Sequence, residues 1–443
     1  MNQGQRRLFY SSLIILFLVI TPLILLYAAG YNFRLFERKI VNTGLLIVNS
    51  FPSGGDIYLN GQWTKNRTPA RFPNLKPGIY LIEIKKTGYK PWQKKLNVYA
   101  HYTTFADQAI LFKNNPRPEL LIKESVLFAK ASPDKQEIAM LTKTGQEQSL
   151  SIVNPLKNTK RIVKAGIRAE VEDISWEKNY IFLKLKKENK LDWIIFDPAH
   201  QTEAQISQLT ILSFEKLRAG SLGRIYGLAE DVIYEIDLTS KKIQALSQQP
   251  AIDFLVKNND LYYLTDQEKK EGMLKIDLSK KTVTPVINAN NSYQSFWDIS
   301  SDNYFLLINT QSFCLYIIDQ GKNEVCFPHK IKGAILSPDR EKILYFNESE
   351  MFVYYVLKSE ENLITRQGKK INNVVWYPNS EYLVYNDNES IQAIEIDKRD
   401  KVNNYLLFEG QGEIICVPSG EDIILSTKRG QNSSVYLYDL TIR

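Results

Sequence analysis

The chain has 443 residues, more than one hydrophobic core ordinarily serves, so two or more domains are expected. Hydrophobic residues make up 44% and aromatic residues 12%, with 25 tyrosines, which excludes a disordered chain and suits strand-rich domains. Three cysteines exclude a disulfide-stapled scaffold. The net charge of +7 is unevenly spread: residues 1–42 carry five Lys/Arg against one acid and residues 43–112 carry nine against three, so the remainder is slightly acidic. The basic region could meet anionic lipid headgroups or an acidic wall polymer. The favoured alternative is that Lys85, Lys86, Lys90, Lys94 and Lys95 solvate exposed strand faces.

Residues 1–7 read as a cytoplasmic tail. Leu8 to Gly30 is a run of 23 residues without a charge, preceded by Arg6 and Arg7. As a helix it reaches about 35 Å, enough for a hydrocarbon core, and Pro22 is tolerable in a membrane helix. Ala28-Ala29-Gly30 is a weak cleavage signal, but the apolar stretch is long for a signal peptide, so an uncleaved transmembrane anchor is expected. Arg34, Arg38 and Lys39, offset by Glu37, follow in the juxtamembrane linker 31–42 and nearly balance Arg6 and Arg7. Flanking charge therefore leaves the orientation open.

Residues 43–112 hold short apolar alternations separated by turn signals. Gly44 to Ser50 reads as a strand, Phe51-Pro52-Ser53-Gly54-Gly55 as a turn, and Asp56 to Leu59 as the next strand. Asn60-Gly61 is a hairpin dipeptide, because both positions tolerate positive φ. Thr68-Pro69 opens another edge, Leu75-Lys76-Pro77-Gly78 makes a turn, Ile79 to Lys86 alternates, and Gly88-Tyr89 turns into Trp92 to Val98. Some six strands in seventy residues predict a small β-sandwich.

These residues resemble a PEGA domain. The likeness rests on Gly44-Leu45-Leu46 with Ser50 and Pro52, on Ile57-Tyr58-Leu59-Asn60-Gly61, and on Thr68-Pro69. It continues through Leu75-x-Pro77-Gly78-x-Tyr80 and Lys86-x-Gly88-Tyr89-x-x-Trp92. The name-giving motif stands here as Pro52-Ser53-Gly54-Gly55, a conservative turn change. The resemblance implies placement outside the membrane, which tips the orientation, and a binding or spacer role without catalytic residues.

Residues 113–117 are a polar, proline-bearing linker. From 118 to 443 the chain repeats itself. Apolar strands end in Asp or Asn at Val153-Asn154, Phe196-Asp197, Ile236-Asp237, Ile276-Asp277, Ile318-Asp319, Ile396-Asp397 and Tyr438-Asp439, in steps of 43, 40, 40, 42, 78 and 42. The long step contains a degenerate member near Val356-Leu357-Lys358. A period near forty residues is that of four-stranded propeller blades. An Asp or Asn at a strand end accepts hydrogen bonds from backbone N–H groups just beyond it and so starts the turn. A second marker recurs at Ser132-Pro133-Asp134, Ser337-Pro338-Asp339, Tyr377-Pro378-Asn379 and Val417-Pro418-Ser419, where Pro presets φ.

This pairing of turns resembles the TolB-like propellers, related in shape to WD-repeat propellers, and implies a binding platform. The last unit offers only Gly412–Val417, Glu421–Thr427 and Ser434–Leu440, so Leu120-Leu121-Ile122 is expected to supply its fourth strand. The expected fold is all-β after the anchor: a small sandwich and then eight blades, or seven if Thr210 to Arg224 is an insertion.

Cys314 and Cys326 flank Asp319-Gln320-Gly321-Lys322, and a two-strand hairpin centred on Gln320 would set them opposite each other. A disulfide would then be possible and would imply an oxidising compartment. Two small buried thiols is the favoured alternative. Cys416 reads as core.

No catalytic, cofactor or metal residues are expected. There is no Gly-x-Ser-x-Gly elbow and no phosphate loop. His101, His200 and His329 are scattered and read as exposed. Glu348 and Glu350 read as solvated, and Asp298, Asp302 and Asn303 lack the spacing of a calcium loop. The expected function is a membrane-anchored extracytoplasmic binding or scaffold protein, at the cell membrane with the bulk of the chain outside. Its expected partner is an envelope protein or cell-wall glycan, and not nucleic acid. The alternative is a divergent propeller glycan hydrolase or lyase with carboxylates at the central channel.

Overall fold

A computed structural model describes the chain except residues 1–2, 29–30, 35–38, 123, 188–189, 221–222, 266–270, 289–292, 302, 319–323, 411, 419–421, 429–434 and 443. Several expected features therefore fall wholly or partly outside the described residues: the end of the 8–30 span, Glu37 and Arg38, part of Thr210 to Arg224, Asp302, the turn at Asp319 to Lys322, Ser419, Glu421 and Ser434. The chain separates into two compact units. One comprises residues up to Asn115 with Ile394–Leu407; the other comprises Pro116–Ala393 with Phe408–Ile442. Ile394–Leu407, read from the sequence as part of the repeat region, clusters with the first unit.

The first unit begins with helix α1 (Gln3–Ala28), which contains Pro22. Its side chains are described at Arg6, Arg7 and from Phe9 to Leu25, and the large apolar ones are exposed, Phe17 at 66%. Among the described residues, no helix is long and apolar enough to cross a membrane. Strands β1 (Tyr31–Arg34) and β2 (Lys39–Asn42) follow and pair antiparallel, Tyr31 opposite Asn42.

The small domain holds seven strands where the sequence suggested about six. They are β3 (Gly44–Phe51), β4 (Asp56–Leu59), β5 (Gln62–Arg67), β6 (Ala70–Leu75), β7 (Gly78–Lys85), β8 (Trp92–Val98) and β9 (Thr103–Ile110). They form two sheets, ordered β6-β3-β9 and β5-β4-β7-β8. Strict alternation aims Leu46, Val48, Ile84, Trp92, Leu96 and Val98 into the shared core. Each such large apolar side chain stabilises the fold by roughly 1.5–3 kcal/mol. The hairpin at Asn60-Gly61 forms as expected, with φ of 51° and 79°.

Lys94 departs from the expectation that it is solvated. It is 0% exposed, because it shares the inward phase of β8 with Trp92, Leu96 and Val98. Its ammonium lies 2.8 Å from Glu395 and 3.1 Å from Asp397, and donates to the Asp397 carbonyl at 2.8 Å. The Trp92 indole donates to Glu395 at 3.3 Å, and Asn403 donates to the same carboxylate at 2.8 Å. The Arg399 side chain bonds Asp397 and donates to the Phe105 carbonyl. Two acids and two bases thus hold Ile394–Leu407 within the first unit.

In the second unit, β10 (Pro118–Leu120) is followed by β11 (Val126–Ala131), β12 (Ile138–Thr144), β13 (Glu147–Asn154) and β14 (Thr159–Ile167), the last four forming one antiparallel set. Six separate four-stranded sheets follow in chain order, and the last of them takes Ile394–Glu395 and Asn404–Leu407 of its two final strands from the segment grouped with the first unit. The closing strands Glu413–Cys416, Asp422–Lys428 and Val435–Thr441 take β10 as their fourth partner, Pro118 opposite Leu440. That is the expected closure, displaced from Leu120–Ile122 by two residues. Eight four-stranded sets result among the described residues. Residues 210–224 are not an insertion: Lys216–Ala219 is the first strand of the third set.

The repeat marker acts as its chemistry predicts. Asp197, Asp237, Asp277 and Asp397 each accept from the backbone N–H two residues on, at 2.9–3.0 Å. At the second marker, Asp134 accepts from Ser132 Oγ and Asp339 from Ser337 Oγ, each at 2.5 Å. The two serine hydroxyls in turn accept from Glu137 and Lys342 backbone N–H groups.

Cys314 and Cys326 are directly opposed in adjacent strands and joined in a disulfide, the alternative the sequence had not favoured. The bond spans 12 residues of chain, so its loss is expected to cost about 2–4 kcal/mol, chiefly by freeing the unfolded chain. Comparing denaturant midpoints of the Cys314→Ser/Cys326→Ser double variant and the parent under non-reducing conditions measures this; equal midpoints would remove the stabilising role.

Candidate functional site

The first strands of the eight sets, or the residues just beyond them, line a common cavity in the second unit. They are β11 and Glu170–Glu177, Lys216–Ala219, Ala251–Lys257, Ser295–Trp297, Gly333–Leu336, Asn373–Trp376 and Glu413–Cys416. The cavity has a volume of about 650 Å³ and is bounded by the C-terminal ends of these strands and the residues just beyond them. Antiparallel pairing within each set repeats the same polarity from one set to the next, so equivalent positions of every repeat converge here.

Neighbouring sets are stitched together around this cavity. The Trp376 indole donates to the Ile335 carbonyl at 3.0 Å and the Trp297 indole to Ala334 at 3.2 Å. Asp253 accepts from the Phe296 N–H at 2.8 Å and pairs with Lys216. Arg218 pairs with Glu177, which also accepts from the Ala219 N–H at 3.2 Å. Lys257, 5% exposed, pairs with Asp298 at 2.5 Å.

Five cations line the cavity, Lys130, Lys135, Lys178, Arg218 and Lys257, against three acids, Asp173, Glu177 and Asp298. Burial pushes the Lys135 ammonium below its usual range. Burial opposes the charge on Arg218 as well, but Glu177 outweighs it and holds the guanidinium above its usual value. The channel is therefore neither apolar nor purely basic. Glu177 and Asp298, two of the three carboxylates a glycan hydrolase would draw on, are engaged with Arg218 and Lys257.

The other residues singled out from sequence are dispersed. His200 is exposed and 2.8 Å from Asp197. His329 differs from expectation: it is half-buried, stacked on Phe352 with ring centroids 4.7 Å apart. Glu348 is solvated as expected, but Glu350 is not, being bound by Arg366 at 2.6 Å and Asn347 at 2.8 Å. Asp298 serves Lys257 and the Ser300 N–H. Cys416, which is not in a disulfide, is buried in the cavity wall. Glu324 groups with Cys314 and Cys326, whose sulfurs are bonded to each other and so offer no thiolate. The sequence reading missed Lys135, Glu177, Arg218 and Lys257; the last three lie at the ends of first strands and Lys135 in the turn just beyond one, so placing those strand ends was the signal that could have found them.

Sheets of this kind, repeated around a shared cavity and preceded by a small sandwich, define a β-propeller protein with an accessory β-domain. Residues 43–110 match the PEGA domain family, so the chain carries a PEGA domain there. Solved structures similar to the chain are β-propellers. A eukaryotic initiation factor structure has a TM-score of 0.50 at 11% identity, over 72% of this chain and 86% of that one. The Dos1 propeller gives 0.49 at 11%, over 74% and 95%. An uncharacterized protein from Listeria monocytogenes gives 0.46 at 11%, over 66% and 98%. At such identity the likeness concerns the fold alone. No curated protein matches the chain.

Proposed function

We propose that the protein is a non-catalytic binding or scaffold component of the cell envelope, anchored by its N-terminal segment. The PEGA domain and the propeller would lie outside the membrane, and the propeller cavity would present the binding surface for an envelope protein or wall glycan. The observation that carries this reading is the combination of a PEGA domain with a propeller whose cavity is lined by charged side chains from its first strands. The uncharged run from Leu8 to Gly30, together with exposed apolar side chains on α1, supports the anchor. The opposed pair Cys314–Cys326 supports an oxidising compartment. Pairing of Glu177 and Asp298 with cations favours binding over glycan cleavage.

Protease shaving of intact cells tests the topology. Peptides from 43–443 are expected in the shaved fraction; their appearance only after lysis would overturn the extracytoplasmic reading. A photo-crosslinker at Lys135 or Lys178 should then capture one envelope component reproducibly, and capture should fall at least tenfold in Arg218→Glu. Detectable cleavage of a wall glycan, abolished by Asp173→Asn, would instead establish the hydrolase alternative.

A further inference from the structure

We propose that one end of the PEGA domain, presenting Ile79, Tyr99 and Tyr102, rests in the headgroup layer of the same membrane that holds α1. This inference rests on the anchor reading above and deepens it, because it makes the domain a membrane-surface element rather than a free-standing spacer.

Chain path supplies the first part of the case. Twelve residues, 31–42, separate the end of the uncharged run from the domain, and fully extended they could reach roughly 40 Å. They do not extend. β1 and β2 fold back on each other with Tyr31 opposite Asn42. Paired strands lie about 4.8 Å apart. Asn42, just before the domain starts, is therefore returned beside Tyr31, the first residue after the apolar run.

The second part is what surrounds Thr43. The His101 N–H donates to the Thr43 carbonyl at 2.9 Å, and the Leu45 N–H donates to Tyr102 at 3.1 Å. Gly44 sits so close to this turn that a Cβ would fall 2.3 Å from the Tyr99 carbonyl. In the adjoining sheet, Ile79 is opposite Asn97, next to the same turn. The β8–β9 and β6–β7 connections thus close the end of the sandwich at which the chain enters.

The third part is the chemistry presented there. Tyr99 is 57% exposed, and Tyr102 and Ile79 are each 70% exposed, an unusual cost for large apolar side chains in water. Tyrosines are favoured at a membrane interface, where the ring meets acyl chains and the hydroxyl meets water. Residues 74–80 and 97–104 include Lys76 and His101 and no acid, so nothing in these two segments repels an anionic leaflet. Arg34, Arg38 and Lys39 add to the positive charge of the connecting segment.

The test uses the full chain in vesicles containing anionic lipid, on a Cys416→Ser background, with single nitroxide labels at Tyr102→Cys, Ile79→Cys, Thr87→Cys and Leu16→Cys. Thr87 follows β7 at the end away from Gly78 and is exposed. Labels at 102 and 79 are expected to collide several-fold less with a water-soluble nickel chelate than the label at 87, and more with oxygen. Equal nickel accessibility at 79, 102 and 87, with the label at 16 reading hydrocarbon, overturns this inference and leaves the anchor standing. A label at 16 that reads water overturns both. All three domain positions are exposed, so the substitutions leave the core intact.

Discussion

Replacing Lys94 by alanine is expected to destabilise the first unit by about 3–5 kcal/mol, because it leaves Glu395 and the partly buried Asp397 without their shared cation. The mechanism is specific. Glu395 is buried and also accepts from Trp92 and Asn403, bonds that do not neutralise its charge. Lys95→Ala, on the opposite face of β8, is the control and should stay within about 0.5 kcal/mol. Hydrogen exchange of residues 44–110 reads the first unit separately from the propeller; equal protection in Lys94→Ala and Lys95→Ala would sink the idea.

The same cluster predicts acid sensitivity. Burial by itself would raise the Asp397 pKa, but the Arg399 side chain and backbone bonds and the Lys94 charge outweigh it and hold the pKa at about 2. The folded value lies below the ordinary carboxylate value, so this group stabilises the fold fully above that ordinary value. Its contribution is lost as pH falls from about 4 towards 2, and amounts to roughly 2 kcal/mol. Asp397→Asn should therefore flatten the decline in stability of the first unit across that window.

Trp376→Ala is expected to cost the propeller about 3–5 kcal/mol, the range for removing a large aromatic side chain from a packed core. Trp376 is 1% exposed, and its indole donates to Ile335 of the preceding set, so truncation opens a void and removes a link between sets. It also lines the cavity, so the binding surface should lose definition along with stability. Trp376→Phe keeps most of the ring volume but not the donor, and should recover more than half of the loss. Denaturant midpoints of the two variants decide this; comparable losses would show that the hydrogen bond, rather than the packing, dominates.

Much of the fold is local and was therefore legible. An Asp at a strand end followed by its turn is settled by residues two and three positions on, as Asp237 with Thr239 and Ser240 shows. Sandwich strands show their inward faces by period-two alternation. The same rule, applied strictly, would have identified Lys94 as buried. It was read instead from its residue type, and lysine is almost never buried without partners. Those partners are Glu395 and Asp397, some three hundred residues away in the chain, and nothing in the local sequence announces them.

The sequence by itself determined the period of the repeat, the strand alternation of the PEGA domain (read as about six strands), the apolar N-terminal run and the opposition of Cys314 to Cys326. These depend on backbone propensities and spacings within about forty residues. Only the tertiary structure decided that Cys314 and Cys326 are bonded, that Lys94 meets Glu395 and Asp397, and that Arg218–Glu177 and Lys257–Asp298 meet around one cavity. The physical reason is that charge pairing and desolvation depend on distances in space, and a repeat fixes how each unit folds without fixing which side chains its neighbours bring to the shared centre.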